Sequence, residues 1–171
     1  MPRGGPGKRR AIRPIRIEGD VAYVPLTRGF TAVIDVDDVP LVEGRNWYAH
    51  KGTNTWYGAA RIGGQIVLLH RFLMGADNPA GYDHEDRDGL NCRRSNLRAA
   101  TTAQNGQNSP KRRHNTSGHK GVFTATKGRS WFAQIKSQNR LRYLGSFKTK
   151  AEAKAAYDAA AMELHGEFRR T

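Results

Sequence analysis

The chain has 171 residues, a net charge of +14, 37% hydrophobic residues and a single cysteine, which suits one compact domain or two small ones. The lone Cys92 excludes an intrachain disulfide and a cysteine-rich zinc site. No apolar run nears the roughly 20 residues of a membrane span, and MPRGGPGKRR lacks a secretion signal, so a cytoplasmic, non-secreted protein with no membrane partner is expected.

Residues 1–16 carry Lys and Arg but no acid, among Gly and Pro. They predict a flexible basic arm able to touch backbone phosphates. From Val21 to Arg71 the strings VAYVPL, FTAVIDV, WYGAARI and QIVLLHRF are rich in Val, Ile and aromatics, as short strands are. Gly63-Gly64 reads as their hairpin turn. Trp47, Trp56 and Tyr57 are the candidate small core, and Asp35, Asp37, Asp38 and Glu43 read as loop or surface acids. Next, GYDHED predicts a strand, DRDGLNCRRSN a long loop, LRAAT a second strand and TTAQNGQN a short helix. Asp86 and Asp88 bracket a turn at Gly89.

NSPKRRHNTSG reads as a linker. The chain therefore divides into a basic arm (1–16), a first domain (17–109) and a second (110–171). In the second, GVFTAT, SWFAQIKS and RLRYLGSF alternate as three strands. Thr149 with Glu152 is a capping-box start, and Ala153, Ala156, Tyr157, Ala160, Ala161 and Leu164 line one helical face. Gly166 is a plausible C-cap. The fold class is α+β, ending in a three-stranded antiparallel sheet packed on one helix.

Between Gly89 and Ala151 there is no Asp or Glu, while Lys and Arg recur throughout. Such a stretch points to a nucleic acid, whose counterions are released on binding. Charge does not separate DNA from RNA.

The residues able to perform chemistry lie between His70 and Asn108. Phosphodiester hydrolysis needs a base to activate water and a metal to stabilise the leaving oxygen. Histidine suits the first role; carboxylate and amide oxygens suit a hard cation. Asp83, His84 and Asn105 supply these groups. Neighbours on a strand diverge to opposite faces, so a twist or bulge would be needed to bring Asp83 and His84 together. An Asp-His pair in a polar loop is more often a solvated surface feature, so the residues alone only suggest catalysis.

LHRFLMG, YDHEDRDGLN and SNLRAATTAQNGQN, in that order, resemble the HNH endonucleases, particularly the phage and intron-borne homing branch. The resemblance implies a ββα-metal core. It makes Asp83 a metal-binding acid, His84 the general base and Asn96 the residue tying the long loop. Asn105 would be the second metal ligand, giving an H-N-N variant. One divalent ion is implied, magnesium first with manganese as an alternative, and no small-molecule cofactor. His70 and Arg71 match the family's His-Arg pair. Arg71 would hold the scissile phosphate, and His70 is equally well read as a buried structural residue. Where the family's loop often reads Leu-Asn-Asn, this chain has Leu90-Asn91-Cys92.

The tail resembles the APETALA/ethylene-response-factor DNA-binding domain over about Asn115 to Phe168, through Gly121-Val122, Trp131, Ala133, Ile135, Leu144-Gly145, Phe147 and Ala156-Tyr157-Asp158. That family lays its sheet in the DNA major groove. The matching positions make Lys120, Arg129, Trp131, Gln134, Lys136, Arg140, Arg142 and Tyr143 the DNA-contact candidates. Trp131 and Tyr143 are also open to a core role, and Phe132, Ile135, Leu144 and Phe147 are the core expectations. Together the resemblances imply a homing-type DNA endonuclease acting on double-stranded DNA, with a monomer favoured and the host cytoplasm as its place if phage-encoded. The alternative is a DNA-binding transcriptional regulator with an inactive HNH region. An RNA-binding protein would suit the charge but not the tail.

Overall fold

The computed structural model describes residues 11–75, 78, 80–109, 111, 114–125, 130–138 and 140–169. The expected arm thus lies largely outside the described residues, as does Arg129. Packing divides the chain into two compact units, one of residues 1–77 with 88–97 and the other of 78–87 with 98–171. Among the described residues, no helix is long and apolar enough to cross a membrane.

The first unit contains two three-stranded sheets. Strands β1 (Arg16–Glu18), β2 (Val21–Pro25) and β3 (Thr31–Asp35) form one, in chain order. Strands β4 (Tyr48–Lys51), β5 (Trp56–Ile62) and β6 (Gln65–Leu68) form the other, with Ile62 opposite Gln65 across the Gly63-Gly64 turn. Short helices α1 (Val39–Val42) and α2 (Leu69–Met74) complete it. Alternation in β2 and β3 buries Ala22, Val24, Ala32 and Ile34 around Trp47, whose indole donates to the Val42 carbonyl at 3.1 Å. Trp56 is only partly buried and lies tilted against Phe30, ring centres 4.6 Å apart.

The long loop joins this unit by backbone pairing and by charge. Val33 N donates to Leu90 O and Cys92 N to Val33 O, each at 2.8 Å, with the Cys92 side chain fully buried. Of the acids expected in loops or at the surface, Asp37 and Glu43 are exposed, while Asp35 and Asp38 anchor the long loop. Arg93 bridges Asp20 at 2.6 Å and Asp35 at 2.7 Å, and Arg94 grips Asp38, which is 2% exposed. A buried carboxylate needs such a fork, because unpaired it would lose its hydration without return. Gly89 is required by close approach: a Cβ there would lie 2.4 Å from Trp56 O.

In the second unit β7 (Tyr82–His84) pairs with β8 (Leu97–Ala99), whose first residue marks the boundary between the units, and α3 (Thr102–Asn108) follows. Helix α3 starts at a capping box in which the Thr101 side chain accepts from Gln104 N and the Gln104 side chain returns to Thr101 N. The tail folds into β9 (Val122–Thr124), β10 (Trp131–Ser137) and β11 (Arg140–Phe147), an antiparallel sheet with β10 central, crossed by α4 (Lys150–His165). The Thr149–Glu152 capping box opens α4 and Gly166 ends it. Val122, Ala133 and Ile135 meet Ala153, Tyr157 and Ala161 in a small core. The alanines let the helix lie near the sheet, and Gly121 takes that closeness to its limit. Its φ is +70°, and a Cβ there would sit 2.1 Å from the Tyr157 ring and 2.6 Å from Gln134 O.

This core sets two expectations for stability. Gly121→Ala combines a left-handed backbone with an unavoidable clash, so urea unfolding should show a loss of about 2–4 kcal/mol. His165, 7% exposed at the end of α4, lies with Nε2 2.9 Å from Lys136 O, and its Nδ1 is buried with no hydrogen-bond partner among the described residues. Burial, chiefly, lowers its proton affinity. A histidine depressed in the folded state contributes stability above its unfolded value of about 6.5, lost as pH falls below it. Unfolding free energies measured between about pH 7 and pH 5 should therefore decline towards acid, with a shallower slope in His165→Gln.

Candidate active site

Asp83 and His84, on β7, are both buried, at 4% and 6% exposure. The Asp83 carboxylate is held through one oxygen. Its Oδ2 accepts from Arg98 Nη2 at 3.0 Å and Nε at 3.3 Å, and from Asn108 Nδ2 at 2.8 Å. Asn108, itself 5% exposed, also donates to His84 O at 3.0 Å. One amide nitrogen from the last turn of α3 thus fixes both the Asp83 side chain and the backbone at His84. The bonds to Oδ2 leave Oδ1 with no hydrogen bond among the described residues.

Arg98 is positioned from behind. Its Nη1 donates to Glu167 O at 2.9 Å, and its guanidinium lies 4.0 Å from the centre of the Phe168 ring. The short 3-10 turn Gly166–Phe168 at the chain's end therefore seats the arginine that pairs with Asp83. Such a pair offsets the cost of burying the carboxylate only while both partners stay in place.

Asn105 is exposed on α3, one turn before Asn108. Residues three apart on a helix are surface neighbours, so the helix side that reaches Asp83 also carries Asn105. Asn96 belongs to the first unit, where its Nδ2 donates to Asn91 O at 2.8 Å. His70 and Arg71 also lie there, on α2. His70 is 4% exposed with its ring 5.6 Å from that of Tyr57, and Arg71 is exposed. Among the described residues, no three His, Cys, Asp or Glu side chains gather to hold a metal. A cation at Asp83 would therefore need amide or other oxygen donors.

The tail candidates separate by face. Gln134 and Tyr143 are opposite one another on β10 and β11. Lys136, Arg140, Arg142 and Tyr143 are exposed, but the register puts Lys136 and Tyr143 on the face away from α4 and Arg140 and Arg142 on the face of the buried Ile135. Trp131 is on the helix side, packed on the small core, with Lys150 Nζ 5.7 Å from its ring. Phe132, expected in the core, is on the opposite side, stacked on Phe123 at 5.3 Å. The reason is strand alternation: with Ala133 and Ile135 buried under α4, Trp131 must share their face and Phe132 cannot. Lys120 does not present a free ammonium to DNA. Its Nζ donates to Gly106 O at 3.3 Å, Gln107 O at 2.5 Å and Ser109 O at 2.9 Å, closing the C-terminal end of α3, where a helix has orphan carbonyls and favours a cation.

The chain is similar to a protein of Acanthamoeba polyphaga mimivirus named as an uncharacterized HNH endonuclease. The two share 29% identity over 148 residues, covering 82% of this chain and 74% of that protein. No family model matches the chain, and no solved structure matches it significantly.

The sequence alone does not single out Asn108 and Arg98, although Asn105-x-x-Asn108 on a capped helix is a visible pairing. Removing a buried donor strands its acceptors, so Asn108→Ala should cost about 1–3 kcal/mol. Asn105→Ala, at an exposed position, should stay within about 0.5 kcal/mol of the parent. Urea midpoints of the two variants compare them directly.

Proposed function

We propose that this chain is a metal-dependent DNA endonuclease of the HNH type, in which β7, β8 and α3 form the cutting site and the tail docks on duplex DNA. The observation that carries the reading is the buried Asp83-His84 pair braced by Arg98 and Asn108, and the likeness to a named HNH endonuclease favours it.

A divalent cation fits the residues present. Asp83 keeps one carboxylate oxygen outside its hydrogen bonds, and Asn105 adds an amide oxygen from the same side of α3. Hard oxygen donors of this kind suit magnesium, with manganese as a substitute. Bound there, such an ion would supply Lewis-acid stabilisation for charge developing on the departing 3′ oxygen. His84 takes the proton of the attacking water as its oxygen bonds to phosphorus and the P–O3′ bond breaks; the 3′ oxygen takes a proton from solvent, leaving a 5′ phosphate and a 3′ hydroxyl. Asn108 keeps the His84 backbone in register with the carboxylate, and Arg98 holds that carboxylate in place. Arg71, exposed on α2, is assigned to a phosphate, whereas the burial of His70 against Tyr57 favours a structural role. Asn96 ties the loop.

The tail, with its APETALA-like strand and helix pattern, supplies affinity through the exposed face of its sheet. A homing-type enzyme, acting as a monomer in the host cytoplasm, is the form that best suits a cutting site and a docking sheet in one short chain.

Supercoiled plasmid with magnesium tests the proposal. His84→Ala should lower the cleavage rate by at least about 100-fold while gel-shift affinity in EDTA is unchanged. Lys136→Ala should instead weaken binding by about 1–3 kcal/mol if it meets a base. Binding without cleavage in every divalent metal would favour a regulator over an enzyme.

A further inference from the structure

The face of the tail sheet turned away from α4 is apolar at its centre. Phe123 sits opposite Phe132, and Gln134 opposite Tyr143, so these cross-strand pairs share one side. Phe132 links the row, stacked on Phe123 at 5.3 Å and 6.4 Å from Tyr143. Leu141 is 64% exposed and Tyr143 61%. A contiguous apolar patch of this kind marks a surface that a partner covers.

Charge identifies the partner. Lys136 is exposed on this same face, opposite Leu141, whereas Arg140 and Arg142 lie opposite Ser137 and the buried Ile135, on the other face of the edge strand, and no acid occurs from Gly89 to Ala151 to oppose a phosphate. The centre then says which bases are favoured. In the major groove guanine offers only acceptors and is best met by a guanidinium or ammonium, thymine offers a C5 methyl, and adenine offers a donor–acceptor pair that an amide can match. At its middle this face holds the Phe132 and Tyr143 rings and the Gln134 amide, with the Leu141–Lys136 pair at one end.

We propose that the open sheet face reads A·T pairs in the major groove of duplex DNA. Thymine methyls pack on Phe132, Tyr143 and Leu141, and Gln134 pairs with adenine. Lys136 holds a flanking phosphate. The inference rests on the reading that the tail docks duplex DNA and adds what it selects.

Replacing thymine by uracil removes only the methyl group, which makes it the deciding probe. The full-length chain, in EDTA, is used to select duplexes from a random pool, and thymines in the selected core are then exchanged singly for uracil. The selected core should be A·T-rich. Each contacted thymine should lose about fourfold in affinity on exchange, the worth of one buried methyl. A Leu141→Ser, Tyr143→Ser double variant should bind more weakly and show little uracil effect, whereas Lys136→Gln should bind more weakly and keep it. A G·C core, uracil-indifferent binding or a preference for single strands would overturn the inference, even where Lys136→Gln still weakens binding. Loss of any effect from Lys136→Gln would instead sink the docking reading itself.

Discussion

A carboxylate placed away from water is tolerable only if donors replace its hydration, and in this chain that condition falls on Asp83. Its Oδ2 is shared by Arg98 from the paired strand and Asn108 from the helix beyond. The bond network therefore dictates local geometry: β7 supplies the acid, β8 the cation and α3 the amide, and none of the three can shift without stranding the others. Asn108 goes further, because the same nitrogen reaches the carbonyl of His84. The histidine proposed as base is thus fixed at its main chain by the group that steadies the proposed metal-binding acid.

What is legible in the sequence is local. The capping pairs Thr101–Gln104 and Thr149–Glu152, the Gly63-Gly64 turn and the alternating tail strands involve residues a few positions apart, and each appears where the pattern predicts it. Contacts across long sequence separations leave no such mark. Asp35 and Asp38 read as surface acids because their partners, Arg93 and Arg94, lie 58 and 56 residues away. Period-two alternation places Trp131 and Phe132 on opposite faces without saying which is inner. The burial of Val122, Ala133 and Ile135 beneath an alanine-lined helix decides it, and the bulkier ring of Trp131 follows them.

The candidate site is legible only to the same extent. Asp83 and His84 stand out as adjacent titratable groups, but Asn105 and Asn108 are chemically identical and three residues apart. Only the placement of α3 distinguishes the exposed amide from the buried one. Lys120 and Arg98 show how charge alone misleads. Both lie in the acid-free stretch that a count assigns to nucleic acid, yet one closes the end of α3 and the other pairs with Asp83.

This internal use of cations bears on how docking would relate to cutting. Lys120 ties the start of the tail to α3, and Arg98 ties the end of the tail to β7 through Glu167 and Phe168. Strand β7, Arg98 and Ala99 of β8, α3, the tail sheet and α4 accordingly fall in one compact unit. A docking sheet joined to a cutting site by a loose linker would raise only the local concentration of DNA. One braced at both ends constrains orientation as well, and orientation is the larger source of rate enhancement once the reacting groups are close. On the proposed function, these two cations, which a count of charges would give to phosphate binding, serve the reaction indirectly. They hold the reading surface at a set attitude to Asp83 and His84.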